Sequence, residues 1–403
     1  MQTAVLIQLK QERVVTVKNT PSKIAARLVP LFLTVLFLLG TLTDLRAEMF
    51  SVGDAGGLNR EETREANTNV THSSGTNTGI NTGTLNPAPG SFINPLTGQY
   101  TVNDFSMLRP VAISISNQRG ALPTNAINGI SQADIVYEVL VEAGITRFVG
   151  IYQDFTSIDV VGSIRSARHY TVQLAEAYDA IFVHAGGSPL GYEEIENRGI
   201  TNFDEVSGKG APVFLRNQQR IPGHTVENYH SVTTSGARLT QWLPISGERL
   251  VRGHNRQPLA FTDNPIPTGV RAYEVGIRFS DAKDSAFIYN ESQNVYFMAQ
   301  FGSYLTDANN GSSVTFTNLL ILETPVTDLV GHGSGAGRQD MSTVGSGNGL
   351  FISGGKCITI NWFRADKASQ FVYTCENGNV IELGRGKTYI GIIPTDTGSL
   401  SIN

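Results

Sequence analysis

Residues 162–190 read GSIRSARHYTVQLAEAYDAIFVHAGGSPL, and this stretch decides the fold of the first half of the chain. Arg165 and Arg168 stand three apart where a loop enters a helix, with Ser163 or Ser166 as the expected N-cap. Val172 with Ala175, and Leu174 with Tyr178, supply helical spacing as far as Asp179. An apolar strand over 180–183 then runs into His184 and the flexible Gly186-Gly187-Ser188. Strand, loop, helix, strand and a polar glycine loop form the unit that builds pockets at strand ends in layered α/β folds. Helix N-termini already carry partial positive charge, so two arginines there call for an anion to share them.

Upstream, Pro110 to Asn117 alternates apolar and small polar residues and is expected to form a strand. The β-branched run 134–142, the Ala143-Gly144 turn and the segment 146–152 form a β-hairpin. On that strand Glu138 and Glu142 fall on one face, about 13 Å apart. Two readings follow: a carboxylate pair in a site, facing Arg147, or a solvated sheet face carrying cross-strand ion pairs. Downstream, Arg216, Arg220 and His224 recur around turn-forming residues. With Arg147, Arg165 and Arg168 they offer the cationic side of a pocket. Arginine forks suit carboxylate, phosphate or sulfate.

Phosphate loops of the dinucleotide or nucleotide-triphosphate type are excluded. Gly162-Ser-Ile-Arg lacks the further glycines, and Gly354-Gly-Lys356 has Leu350 where a glycine is required and Cys357 in place of Ser/Thr. No nucleophile elbow surrounds Ser188, because Pro189-Leu190 follows it.

The chain has 403 residues with a net charge of −5, enough for two domains and without the basic footprint of a nucleic-acid binder. Its 42 glycines and low charged content of 16% favour β-rich structure. No metal or cofactor pattern occurs, so no cofactor is expected. Residues 1–47 comprise a basic region (Lys10 to Arg27) and an uncharged run 28–43, short for the roughly 20 residues of a spanning helix. The long basic lead and the large Leu45 at the cleavage position favour an uncleaved anchor with the head outside the cytoplasm. The alternative is secretion after cleavage. Residues 48–94, rich in Asn, Thr and Gly, read as a disordered tether.

After an Asn/Pro-rich stretch near 255, short strands follow at 275–279, 286–289, 295–298, 314–316, 319–322, 357–360, 371–375 and 387–393. They are expected to form an antiparallel sheet or partly open barrel. The fold class is therefore α+β: a mixed α/β domain over 95–255, then a mostly antiparallel β domain over 256–403. Cys357 and Cys375 flank a turn expected to centre on Asp366. That register places them opposite each other, where a disulfide can close in an oxidising compartment. The competing reading is two half-buried thiols, since one residue of slip puts them on opposite faces.

The chain resembles the YerB-like family of DUF3048 domain proteins. The resemblance rests on Arg109-Pro-Val-Ala-Ile, Ala133-Asp-Ile-Val-Tyr-Glu138, Glu142-Ala-Gly-Ile-Thr-Arg147, Val161-Gly-Ser-Ile-Arg-Ser-Ala-Arg168, His184-Ala-Gly-Gly-Ser188, and the closing segments 349–358, 362–364 and 386–390. It implies a mixed N-terminal domain, a C-terminal β domain and membrane attachment, usually as a lipoprotein, with no established activity. No lipid-accepting cysteine follows the apolar run here. Ile221-Pro-Gly-His-Thr with Glu227-Asn-Tyr also departs from the family's Pro-His-Asn-x-Tyr stretch, which sets His224 and Asn228 apart from its pattern.

Two functions are weighed. The first is a non-catalytic envelope protein binding an anionic or polar ligand, such as a cell-wall fragment or an envelope partner. Arg165 and Arg168 fork onto the anion, with Arg147 and Arg216 adding charge. Gly186 and Gly187 admit backbone amides, Ser166, Ser188 and His184 supply hydrogen bonds, and Glu138 and Glu142 orient the arginines. The second is an envelope hydrolase or transferase using Glu138 or Glu142 as acid/base with His184 or Ser188 assisting. Carboxylates converging within about 5–10 Å would mark it.

Overall fold

The computed structural model describes residues 90, 92–253, 259–266, 268–329 and 337–403. The anchor segment 28–43 and residues 48–89 and 91 of the expected tether lie outside them. Of the rest of the tether, Phe92–Ile93 already pairs with Tyr100–Thr101.

Strands far outnumber helices, as the glycine-rich, β-branched sequence anticipates. The strands that position the site are β1 (Val111–Asn117), β2 (Ile135–Leu140), β3 (Thr146–Tyr152), β4 (Val160–Gly162), β5 (Ile181–His184), β6 (Asn202–Asp204), β7 (Leu215–Arg216) and β8 (Val232–Ser235). The second half adds β9 (Val270–Arg271), β10 (Glu274–Ser280), β11 (Lys283–Asn290), β12 (Val295–Gln300), β13 (Asn318–Thr324), β14 (Gly345–Ser353), β15 (Lys356–Arg364), β16 (Val372–Thr374), β17 (Thr388–Pro394) and β18 (Ser399–Ile402). Among the described residues there are three α-helices, α1 (His169–Glu176), α2 (Pro189–Asn197) and α3 (Gly236–Trp242).

The principal sheet runs β9-β15-β14-β13-β17-β2-β3-β1-β5-β6, with β16 added to β15. The hairpin β2–β3 forms as expected, pairing Ile135 with Ile151 through Leu140 with Thr146. Its turn places Ala143 and Gly144 in the left-handed region, at φ 59° and 70°. β17 pairs in parallel with both β13 and β2, so strands from the two halves of the chain share one sheet. A strand enclosed by neighbours and covered on both faces must be apolar throughout. Tyr389, Ile390, Ile392 and Ile393 are all buried.

β10, β11, β12 and β18 form the core of a second, antiparallel sheet. It lays Phe287 against Tyr389 of the first sheet at 4.5 Å between ring centroids. On the other face, α1 packs with Tyr170 donating to Leu140 O at 2.8 Å, and Tyr178, just beyond the helix, meets Tyr137 at 2.8 Å between hydroxyls.

The expected disulfide does not form: Cys357 and Cys375 are free thiols. β15 and β16 pair with Thr374 opposite Asn361, so the hairpin centres beyond Asp366 and Cys375 falls level with Ile360. Three residues of offset are about 10 Å along a strand and put the two side chains on opposite faces.

Candidate functional site

Two loops meet at the C-terminal ends of β1 and β5. Ala167 N donates to Gly186 O at 2.8 Å, Ser188 N to Ala167 O at 3.0 Å, and Ala185 N to Arg165 O at 3.1 Å. The arginine loop and the glycine loop, twenty residues apart in sequence, are thus stitched together by backbone bonds.

Around this seam sit three arginines. Arg147 is buried on β3, where Nη1 donates to Ser166 O at 2.6 Å. Burial, aided by the nearby charges of Arg168 and Arg165 and opposed by Glu142, pushes its guanidinium down to about 9. Arg165 donates from Nη1 to Tyr229 O at 2.8 Å and lies 5.5 Å over the Tyr229 ring. Burial and then Arg168 lower its pKa too. Arg168 enters α1 and forks onto Glu142, Nε to Oε1 and Nη2 to Oε2, both at 2.6 Å. The cap of α1 is not a serine: Arg168 N donates to Thr171 Oγ1 at 2.9 Å.

Glu142 lies beyond the end of β2, in the turn. Its burial opposes ionisation, but the Arg168 fork outweighs that and holds the carboxyl below its ordinary value. Arg338 approaches the same carboxylate at 3.9 Å. Among the described residues Glu142 is the acid beside Arg168 and Arg147, while Arg165 has no carboxylate against it.

Glu138 is elsewhere, and the two glutamates do not share a face. Val139 opposes Arg147 across the hairpin and Glu138 opposes Phe148, so Glu138 and Arg147 point to opposite sides of the sheet. Glu138 is fully buried, facing the second sheet. Its carboxylate accepts from Thr146 at 2.6 Å, Tyr389 at 2.7 Å, Asn117 at 2.8 Å and Ser285 at 3.0 Å, with Lys283 Nζ at 3.2 Å. It neither orients an arginine nor reaches a substrate, which removes it from the acid/base role.

His184 is buried, stacked 5.1 Å from Phe182, with Nδ1 2.8 Å from Gly186 O and Nε2 3.3 Å from Asn202 Oδ1. Burial lowers its pKa, leaving the ring neutral at pH 7. It is a strand-end brace. Ser188 Oγ accepts from Gly191 N at 3.1 Å and caps α2. Gly186, at φ 75°, gives its amide to Asp204 Oδ1 at 2.7 Å, so that amide is spent within the fold. Ser166 sits beside Gly186: a Cβ built on Gly186 would meet Ser166 Oγ at 3.5 Å. Arg216 forks onto Glu205 at 2.7 and 2.8 Å and donates to Asn228 O at 2.9 Å. His224 stays exposed on the turn 221–224.

Sequence reasoning passed over Asp204 and Tyr229. Asp204 accepts from Gly186 N, Tyr192 Oη (3.0 Å), Val206 N (3.1 Å) and Ser207 N (3.2 Å), which fixes the glycine loop. The available signal was Asp204 followed by Ser207-Gly208, a turn in which the carboxylate accepts from nearby amides. Tyr229 had one as well, since it is the tyrosine of the Glu227-Asn-Tyr stretch.

The fold and site define a β-rich head with an arginine cluster at the ends of parallel strands. The chain belongs to the family described as proteins of unknown function DUF3048. The N-terminal domain model matches residues 96–241 and the C-terminal domain model residues 275–390. It is 28% identical over 313 residues to the Bacillus subtilis protein named "Putative lipoprotein YerB", covering 76% of this chain and 88% of that one. The crystal structure of the YerB protein from Bacillus subtilis is similar at a TM-score of 0.64, with 29% identity over 77% of this chain and 99% of that one.

Proposed function

We propose that this protein is a non-catalytic, envelope-associated binder of an anionic ligand, held at Arg147, Arg165 and Arg168. The observation that carries the reading is the loop seam itself: Arg168 forks onto Glu142, Arg147 is buried with its Nη1 on Ser166 O, and Arg165 has no carboxylate against it among the described residues. A buried or half-buried cation without its own counterion is costly, and a bound anion offsets that cost. A head outside the cytoplasm fits the lipoprotein name of the Bacillus relative, and attachment is assigned to residues 28–43 because no lipid-accepting cysteine follows that run. The division into an α/β half over 95–255 and a β half over 256–403 belongs to the same reading, with the three arginines and Glu142 supplied by the first and Arg338 of the second 3.9 Å from Glu142. A cell-wall fragment or an envelope protein is the natural source of the anion. Titrating the full-length chain with inorganic phosphate and with glutarate tests the site. Binding that disappears in the Arg165→Ala/Arg168→Ala double variant is the expected result. A wild-type chain that binds neither anion overturns the proposal.

A further inference from the structure

Next to the arginines the surface carries features that simple anion binding does not use. Contacts close a ring: Arg165 to Tyr229, Asn228 O to Arg216, Arg216 to Glu205, then Val206 against Gly186 and Ser166 back to Arg165. Three apolar side chains on or beside this ring are exposed, Val206 by 65%, Tyr229 by 54% and Leu215 by 47%. The acid in it, Glu205, is already neutralised by the Arg216 fork. Arg165 has no carboxylate against it among the described residues.

The ring also includes a free strand edge. β7 ends the small sheet β7-β8-β4. Asn217 N donates to Ser231 O at 2.8 Å, and hydrogen-bonded pairs alternate along an antiparallel ladder. Arg216 opposite Val232 is therefore the pair without mutual bonds, and Val232 O is indeed taken by Ile164 N on its other side at 2.8 Å. Arg216 consequently turns its own N–H and C=O outward, away from the sheet. An outward donor and acceptor on one edge residue, flanked by apolar side chains, is what an extended peptide pairs with.

We infer that this face binds an extended acidic peptide, pairing its backbone with Arg216, resting apolar side chains on Leu215, Val206 and Tyr229, and placing a carboxylate on Arg165. The inference rests on the anion site proposed above and names its ligand class. An acidic glycan satisfies the arginines but leaves the strand edge unused.

The test uses the full-length chain and four probes: a fluorescein-labelled Val-Ile-Val-Asp-Val amide, the same peptide N-methylated at its central residue, trigalacturonate, and inorganic phosphate. The parent peptide is expected to bind. N-methylation, Arg165→Ala and Leu215→Asp are each expected to weaken it about tenfold, the scale of one lost hydrogen bond or anchor. Far-ultraviolet circular dichroism identifies any variant that fails to fold, and N-methylation of the probe needs no variant at all. Equal binding of both peptides, or binding of trigalacturonate or phosphate without the peptide, overturns the peptide inference and leaves the anion site standing. Binding of no probe and no phosphate overturns both.

Discussion

Glu138 Oε1 and Lys283 Nζ stand 3.2 Å apart with both side chains closed to solvent, joining β2 of the first half to β11 of the second. Lys283 also donates to Gln300 Oε1 at 2.6 Å and Ser285 Oγ at 2.8 Å, and Gln300 donates to Asn117 at 2.8 Å. Burial lowers the lysine's pKa while Glu138 opposes that. The network is fully dressed with hydrogen bonds, the condition under which a buried ion pair is tolerated.

Removing one member leaves the other charge buried and bare. Lys283→Met and Glu138→Leu are each expected to cost about 3–5 kcal/mol. The double variant should cost clearly less than their sum, measured by urea unfolding. Additive losses would show that the pair does not couple the halves.

The sequence made the hairpin 135–152 and the strand 111–117 legible because their determinants are local: β-branched runs, alternation and a glycine turn. The meeting of the 165 and 186 loops was legible for the same reason, since strand, helix and strand follow in order. What escaped was non-local. Nothing near Glu138 announces Lys283, and a lone carboxylate in Val-Tyr-Glu-Val looks like a solvated face. The parallel insertion of β17 beside β2 had one signal, the unbroken apolar run Tyr389 to Ile393, which alternation would have interrupted in a half-exposed strand. The cysteine register failed because a loop's midpoint cannot be fixed from composition to within the single residue that decides the face.

His230 is buried with neither ring nitrogen hydrogen-bonded, and a Cβ on Gly120 would meet its Nε2 at 3.4 Å. Burial, then Arg165 and Arg220, lower its pKa from 6.5 to about 4. The unfolded chain therefore binds more protons between those values. Stability from keeping His230 neutral is present above about 6.5 and is lost as pH falls towards 4, at up to about 1.4 kcal/mol per pH unit. His230→Phe should flatten that slope in unfolding curves taken from pH 4 to 7. A variant retaining the wild-type slope would assign it to another group.

Asp204 touches no arginine of the cluster but holds the glycine loop through Gly186, Val206, Ser207 and Tyr192. Asp204→Ala is expected to raise amide exchange over 184–188 and 204–208, leave that of β2 and β3 unchanged, and weaken phosphate binding about tenfold. Unchanged exchange in the glycine loop would show that the carboxylate is dispensable.

Cys357 is buried and its thiol is pushed up to about 11, while Cys375 is half-buried in the turn that Gly378 N closes onto its carbonyl at 2.9 Å. Thiolate is the reactive form. A maleimide at neutral pH should therefore label Cys375 well ahead of Cys357 in the folded chain, and denatured, unreduced protein should show both thiols. No thiol after denaturation would mean that the cysteines reach each other by a different register.

Glu142 occupies Arg168 in the way a ligand carboxylate would, bidentate at 2.6 Å. It either competes with an incoming anion or orients the guanidinium for it, and Glu142→Gln separates the two. Its lowered pKa means the ion pair stabilises the fold above the ordinary carboxylate value and is lost as pH falls through the depressed one, so the comparison belongs at pH 7. Without the carboxylate, Arg168 keeps its Nη1 bond to Ala167 O at 2.7 Å and stays near the seam. The site then carries one more net positive charge. Phosphate affinity is expected to rise about tenfold while the fold loses about 1–2 kcal/mol. Affinity that drops in Glu142→Gln would instead make Glu142 a positioning residue, and the arginines would need it to receive their anion.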